Sequence, residues 1–119
     1  MIELPCETIV YRAITRARDF RDGRALASAF HRRLSDSDGL SVNYAVPVPD
    51  GCAPELSGKR AIVSLHVGKM RDVQLDVAAD TETHAAIVGL PHYDQLELRE
   101  RAEQLAALLA EMARTIWSR

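Results

Sequence analysis

Two short apolar runs with a polar segment between them dominate the second half of the chain. Residues 73–78 alternate apolar and polar side chains, a period of two that predicts a half-buried strand. Residues 85–89 are apolar almost throughout, which predicts a central strand covered on both faces. Polar residues at 79–83 predict the turn that joins the two strands.

β-Branched and aromatic residues at 8–14 predict the first strand. The alternation of a strand places Val10, Arg12 and Ile14 on one face. If that face is the core side, Arg12 is a buried or half-buried cation that needs a partner. Alternatively, its charged head reaches solvent at the end of the strand.

Two segments fit more than one element. Residues 24–34 carry apolar side chains four apart, which favours an amphipathic helix capped by Asp22, although a shorter alternation also allows an extended segment. Residues 61–67 fit a strand. A short helix that begins at Ser64 and runs to about residue 71 is favoured, because no two-residue hairpin signal joins this run to the next strand.

Loops and one further strand are predicted in the first half of the chain. Residues 19–23 predict a turn, and residues 35–39 predict a loop. Residues 40–48 predict a strand in which Pro47 marks an edge position or the end, because proline cannot donate to a ladder. Residues 49–59 predict a polar loop, which we expect to be the most mobile segment.

The strongest pattern predicts a long helix near the end of the chain. Asp94 and Glu97 form a capping box, and Tyr93 is placed to pack on Leu98 as a hydrophobic staple. One apolar stripe at helical spacing follows, formed by Leu98, Ala102, Leu105, Leu109, Met112 and Ile116. We expect this stripe to cover the sheet. Its regular spacing also fits pairing with a second chain, and therefore a possible homodimer.

These elements predict a single α+β domain over residues 1–119. Its expected architecture is a small sheet of about four strands packed against a long C-terminal amphipathic helix. A chain of 119 residues is near the usual size of one domain and is long enough for one hydrophobic core.

Composition and charge narrow the classes of partner. With a net charge of −2, the chain lacks the excess of basic residues that is typical of nucleic-acid-binding proteins. A local basic run, which we interpret as a solvated face or a docking surface, contains Arg12, Arg16, Arg18, Arg21 and Arg24. No stretch approaches the roughly 18 apolar residues of a membrane span and no secretory leader is evident, so we expect a cytoplasmic protein that binds no membrane. Cys6 and Cys52 fit no CxxC spacing, and a reduced pair is the default expectation.

Motifs that would identify a reaction are missing from the sequence. There is no HExxH, HxH or clustered Cys/His spacing, so we expect no metal. There is no GxGxxG or GxxxxGK[ST] loop and no GxSxG elbow, so we expect no nucleotide cofactor and assign no catalytic residue.

His84 is the strongest candidate for a residue with a chemical role. It follows a threonine-rich turn and begins an apolar strand, where its ring can donate to a backbone carbonyl and lock the turn. The alternative is a functional role as a general base or ligand donor near physiological pH. The companions for such a role are an anion-binding cation and small hydroxyl residues, and Arg12, Ser28 and Ser41 are the candidates.

The segments that contain these residues carry a resemblance. Four short motifs resemble a YR, SAF, LSV and HA pattern in short uncharacterised bacterial proteins. In this chain they are Tyr11-Arg12, Ser28-Ala29-Phe30, Leu40-Ser41-Val42 and His84-Ala85. The resemblance implies that the four segments belong to one site or one folding unit. It also counts against a helix at residues 28–30, and it brings no activity with it.

A fainter similarity is to ADP-ribosyltransferase-like domains such as the RES toxins. Those domains hold NAD with an arginine on an early strand and a serine on a later one, parts that the similarity assigns to Arg12 and Ser41. The sequence departs from the pattern because no glutamate lies in a matching predicted strand.

The function expected from these observations is that of a non-catalytic binding or accessory module of a bacterial multi-component system, either defensive or regulatory. A protein partner would dock on the basic run or on the loop at residues 49–59. The alternative is a small enzyme that acts on a nucleotide-like anion, with Arg12 as the anion clamp and His84 as the acid or base.

Overall fold

A seven-stranded antiparallel sheet is the main feature of the computed structural model. The structure describes residues 2–33, 36, 39–44 and 58–119. The strands among them are β1 (Ile2–Glu3), β2 (Ile9–Ile14), β3 (Phe20–Arg21), β4 (Arg24–Ala25), β5 (Leu40–Asn43), β6 (Ala61–His66), β7 (Asp76–Ala79), β8 (His84–Val88) and β9 (Arg114–Ser118). The helices are α1 (Val67–Arg71) and α2 (Arg99–Met112), and short 3₁₀ turns span Ala17–Asp19, Ala27–Phe30 and Leu96–Leu98.

The order of strands in the main sheet is β1-β7-β8-β5-β2-β6-β9, and β3 and β4 form a separate small hairpin. Every neighbouring pair in the main sheet is antiparallel. The contact between β2 and β5 is the narrowest, with one pair of opposed residues, Tyr11 and Asn43. The two strands therefore separate beyond that pair, and space opens between them.

The predicted architecture, a sheet of about four strands packed against a long C-terminal helix, is wrong. Helix α2 has 14 residues and ends at Met112, after which the chain becomes strand β9 on the edge of β6. The change follows from local chemistry, because the residues of β9 include Thr115, Ile116 and Trp117, which favour a strand over a helix. Ile116, predicted as the last member of the helical stripe, is 43% exposed.

The start of the helix is also later than predicted. Helix α2 begins at Arg99, after the 3₁₀ turn Leu96–Leu98, and not at a cap formed by Asp94. The Asp94 carboxylate instead lies 3.0 Å from the guanidinium of Arg33. An ion pair with an arginine that is distant in the sequence thus replaces the predicted capping box. Leu98 lies at the N-cap position.

One face of the sheet is the core side, and α2 packs on it through the 3₁₀ turn Ala27–Phe30. Phe30 is fully buried between them. The helix contributes four buried residues to this layer, which are Ala102, Leu105, Ala106 and Leu109. Most of the remaining core comes from aliphatic side chains of the strands, such as Val10, Val63 and Ile87. Their burial supplies the main driving force for the fold.

The ambiguous segment at residues 24–34 is not the favoured amphipathic helix. Asp22 and Gly23 have positive φ angles of 53° and 78°, which suits the tight turn between β3 and β4. Asp22 is therefore a turn residue and not a helix cap. The chain then runs through β4 into the 3₁₀ turn, which brings Phe30 into the core.

The ambiguous segment at residues 61–67 combines both alternatives. Strand β6 continues to His66, and α1 begins at Val67, three positions after the predicted cap at Ser64. Val67 and Met70 are buried in α1, as its predicted pattern requires.

Other strand predictions are confirmed. Strand β2 covers the predicted first strand, and β8 lies between β5 and β7 with Ala85, Ala86 and Ile87 buried. Strand β7 begins later than predicted, because Gln74 before it has a φ of 66°. Two predicted segments extend outside the described residues. They are the later part of the strand at 40–48, which contains Pro47, and most of the loop at 49–59, which contains Cys52. In the part of the chain that the structure does describe, no helix is long and apolar enough to cross a membrane.

We predict that Leu109→Ala destabilises the protein much more than Ile116→Ala. Leu109 is fully buried, and its truncation should cost about 2–5 kcal/mol of unfolding free energy. Ile116 is largely exposed on β9, so its truncation should cost about 1 kcal/mol or less. Urea denaturation measures both. Equal losses would mean that the two residues share one buried helical stripe, which would contradict the observed strand.

Candidate functional site

The four residues singled out in the sequence lie in two places. Arg12 and Ser28 line a cleft on the core side of the sheet. Ser41 and His84 are hydrogen-bonded to each other on the opposite face. The faces follow from the register, because Tyr11 opposes Asn43, which in turn opposes His84. Arg12, next to Tyr11, therefore points away from His84.

Arg12 is held by backbone carbonyls at the place where β2 and β5 separate. Its Nε donates to the carbonyl of Ala29 at 2.7 Å, and its Nη1 donates to the carbonyl of Ser41 at 2.6 Å. Of the two interpretations of this arginine, the half-buried and partnered one is confirmed. Burial lowers the pKa of Arg12 below its ordinary value, and the carboxylates of Asp36 and Asp19 oppose that change.

The cleft beside Arg12 has a volume of about 580 Å³, within the range of small-ligand pockets. Four arginines contribute to its lining, which are Arg12, Arg16, Arg18 and Arg33. Two carboxylates, Asp19 and Asp36, also line it. The hydroxyl of Ser28 donates to Asp19 at 2.7 Å, which fixes that carboxylate on the wall. Cations thus outnumber anions around the cavity.

Aromatic rings form one wall of the cleft. The ring of His31 stacks on Tyr93 with centroids 3.8 Å apart and planes 6° apart. Nε2 of His31 also lies 2.6 Å from the carboxylate of Glu103 on α2. The guanidinium carbons of Arg33 and Arg99 lie 5.2 Å and 4.6 Å from the Tyr93 centroid, within cation–π distance. Tyr93 is therefore part of this wall and not the predicted hydrophobic staple.

The second place is a chain of three side chains on the other face of the sheet. The hydroxyl of Ser41 lies 2.5 Å from Nε2 of His84, and Nδ1 of His84 lies 2.7 Å from the carboxylate of Asp80. The Asp80 carboxylate indicates that Nδ1 carries the proton, which leaves Nε2 to accept from Ser41. Hydrogen bonding to His84 lowers the pKa of Asp80 from its ordinary value of 3.8.

The turn between β7 and β8 holds this chain in place. The Thr81 hydroxyl oxygen accepts from the backbone N–H groups of Thr83 and His84. The N–H groups of Asp80 and Thr81 both donate to the carbonyl of His84. The Tyr44 hydroxyl also donates to the Thr81 carbonyl. His84 thus takes part in locking its turn, as the structural interpretation expected, but through a carboxylate and not a carbonyl.

Several residues of these two places were not predicted from the sequence. Asp80 had a local signal, since it lies four residues before His84 across a turn and such a spacing can bring two side chains together. His31 and Tyr93 had none, because they are remote in the chain and meet only where Arg32 pairs with His92 in the folded structure. Arg16 and Arg18 were assigned to the basic run but not to a cavity.

Comparison with known proteins gives no relative from which a function can be transferred. No family model matches the chain. No curated protein and no solved structure matches it. Among the described residues there is also no group of three or more His, Cys, Asp or Glu side chains placed to hold a metal ion.

We predict that Arg12→Ala lowers the free energy of unfolding by about 1–3 kcal/mol. The substitution leaves the carbonyls of Ala29 and Ser41 without their donor at a half-buried position. Arg24→Ala is the matched control, because Arg24 is an exposed arginine of the same basic run. Urea denaturation of both variants tests the idea. An Arg12→Ala variant as stable as Arg24→Ala would show that the two carbonyl contacts contribute nothing.

We predict that Asp80→Asn makes the stability less sensitive to acid. The folded state lowers the pKa of Asp80, so the ionised carboxylate stabilises the fold above the ordinary pKa of 3.8. That contribution is lost as the pH falls through the lower, folded-state pKa. Between about pH 5 and pH 2.5, the wild-type melting temperature should therefore fall more steeply than that of Asp80→Asn.

Glu82→Gln is the control for this pH series, because Glu82 is an exposed carboxylate of the same turn without a partner among the described residues. It should retain the wild-type slope. Parallel curves for wild type and Asp80→Asn would refute the coupling between Asp80 and His84.

Proposed function

We propose that the protein is a binding module whose arginine-lined cleft takes a small, nucleotide-like anion without catalysing a reaction on it. The observation that carries this proposal is the excess of arginines around a cavity of ligand size. It develops the expected binding-module function by assigning a class of ligand to it.

The charge of the cleft favours an anion. Arg16 and Arg18 are exposed on its rim, and in the described part of the chain no carboxylate lies within ion-pair distance of either. Nη2 of Arg12 has no acceptor among the described residues, and this guanidinium lines the cavity. Guanidinium groups bind phosphate and carboxylate through paired hydrogen bonds, so these three residues are the expected anion contacts.

The aromatic wall favours a ligand that also has a planar, partly apolar portion. The stacked rings of His31 and Tyr93 line the same cavity as the arginines. A mononucleotide has both a phosphate and a planar base and is small enough for about 580 Å³. The ligand class is therefore a phosphorylated molecule of nucleotide size.

The wider role remains part of the proposal. A ligand-binding module of this kind suits an accessory subunit of a bacterial defence or regulatory system, in which a protein partner responds to the bound ligand. The basic run gives such a partner a surface, since Arg16, Arg18, Arg21 and Arg24 are exposed. A homodimer through the last helix has less support, because the apolar residues Leu105 and Leu109 are buried within the same chain.

A second candidate function is an enzyme that cleaves a nucleotide-like ligand such as NAD. The contact that favours it is the hydrogen bond from Arg12 to the Ser41 carbonyl, which joins the two residues of the ADP-ribosyltransferase-like resemblance. Two observations weigh against it. His84, the proposed acid or base, lies on the other face of the sheet, and the described carboxylates that line the cleft are Asp19 and Asp36, with no glutamate.

We predict that the double variant Arg16→Ala/Arg18→Ala binds AMP or ADP at least about tenfold more weakly than wild type, because two charge-assisted contacts are lost. Isothermal titration calorimetry with AMP, ADP, NAD and pyrophosphate measures this. Higher ionic strength should also weaken binding, because the two cations are exposed.

The control is Arg60→Ala/Arg101→Ala, which makes the same change in net charge at exposed arginines outside the cleft and should bind like wild type. Adenosine, which lacks the phosphate, should bind far more weakly than AMP. If both double variants bound every anion with equal affinity, the proposal that the cleft binds the anion would be wrong. Conversion of NAD to nicotinamide by wild type, followed chromatographically in the same samples, would instead favour the enzyme.

A further inference from the structure

We propose that Ser41 is an activated nucleophile, with His84 as its general base and Asp80 as the positioning carboxylate, for acyl transfer from small esters. This activity lies on the opposite face of the sheet from the arginine-lined cleft and does not depend on the proposed ligand.

The geometry that supports it is the atom-by-atom order of the chain. Ser41 contacts Nε2 of the imidazole and Asp80 contacts Nδ1, at 2.5 Å and 2.7 Å. A serine is activated when a base accepts its proton at Nε2 while a carboxylate holds Nδ1–H, and the same constellation recurs on unrelated folds. If the ring were turned so that the protonated Nδ1 faced Ser41, that nitrogen could not accept the proton of the hydroxyl, and His84 could not act as the base.

The three side chains are also held in this arrangement before any substrate arrives. Ser41 and His84 lie on neighbouring paired strands, with Ser41 opposite Ala86 and Asn43 opposite His84. Asp80 is fixed by the hydrogen-bonded turn between β7 and β8. Preorganisation of this kind lowers the cost of reaching the reactive geometry.

The site is open to a substrate. Ser41 and Asn43 are both exposed and lie on the same face of β5. The side-chain amide of Asn43, directly across from His84, is the candidate donor for the oxyanion. Because Ser41 is exposed on the surface of the sheet, the substrate class is a small, unhindered ester.

The reaction that fits these groups is balanced by water alone. The Ser41 oxygen forms a bond to the ester carbonyl carbon as its proton passes to Nε2 of His84, and the carbonyl electron pair moves onto oxygen. Collapse of this intermediate breaks the bond to the alkoxide, which leaves as the alcohol with the proton from His84. Water then repeats the sequence on the acyl-serine, releasing the carboxylic acid and restoring Ser41.

The same hydrogen bonds would also fit a purely structural role, in which they tie the turn to β5. Reactivity separates the two roles, because a serine that only ties the turn gains no nucleophilicity from its bonds. Ser118 provides a control within the same molecule, since it is an exposed serine on β9 without a described histidine partner.

The first test is the rate at which a fluorophosphonate reagent labels each serine in the wild-type protein, followed by peptide mass spectrometry. We expect Ser41 to be labelled at least about a hundredfold faster than Ser118, the lower range of general-base catalysis. Equal rates at Ser41 and Ser118 would overturn the proposal. This comparison uses only the folded wild-type chain, so it does not depend on the stability of any variant.

Variants then assign the roles. His84→Gln, shown to be folded by its melting curve, should label Ser41 at a rate close to that of Ser118, while Asp80→Asn should give an intermediate rate. Wild type should also release a burst of p-nitrophenol from p-nitrophenyl acetate that Ser41→Ala abolishes. A folded His84→Gln variant that is labelled as fast as wild type would exclude His84 as the base.

Discussion

The guanidinium of Arg12 sits where the two halves of the sheet meet, and most of the structure around the cleft depends on it. Strands β2 and β5 share one opposed pair of residues and then separate. A charged side chain lies at the gap and donates to the carbonyl of Ser41 on β5 and to that of Ala29 in the 3₁₀ turn that covers the core side. A backbone carbonyl left unpaired at such a place would be costly, so at Ser41 the arginine substitutes for a ladder hydrogen bond between β2 and β5.

That substitution explains why the two faces of the sheet have different chemistry. On the core side, the arginine brings cationic character to a surface otherwise built from Val10, Ile14 and the buried Phe30. On the other side, the neighbouring residues of β5 and β8 remain regularly paired, which aligns Ser41 with His84. The arginine-lined cleft and the hydroxyl–imidazole–carboxylate chain therefore lie on opposite faces of one small sheet. They are joined at Ser41, whose carbonyl accepts from Arg12 and whose hydroxyl contacts His84.

Local patterns in the sequence were sufficient for elements whose burial repeats at a fixed period. Strands β2 and β8 were predictable because alternation is a local argument. The same alternation put Arg12 on a face with Val10 and Ile14 but left open whether its charge is partnered or reaches solvent. The last helix was predicted too long, because residues 114–118 fit a helical stripe by spacing. In the structure these residues instead form backbone hydrogen bonds with the otherwise free edge of β6. The wall formed by His31 and Tyr93 could not be predicted, because it depends on a bridge between Arg32 and His92, which are far apart in the chain.

The order of strands also has a kinetic consequence. The centre of the main sheet joins β2 to β6 and β5 to β8, segments that are distant in the sequence. Among the described strands of that sheet, only β7 and β8 are both consecutive in the chain and paired. Chains with such non-local pairing must close long loops before they gain contact energy, and they fold on timescales of roughly milliseconds to seconds. During that interval the strand edges are unpaired, so the chain is more exposed to aggregation while it folds than after it has folded.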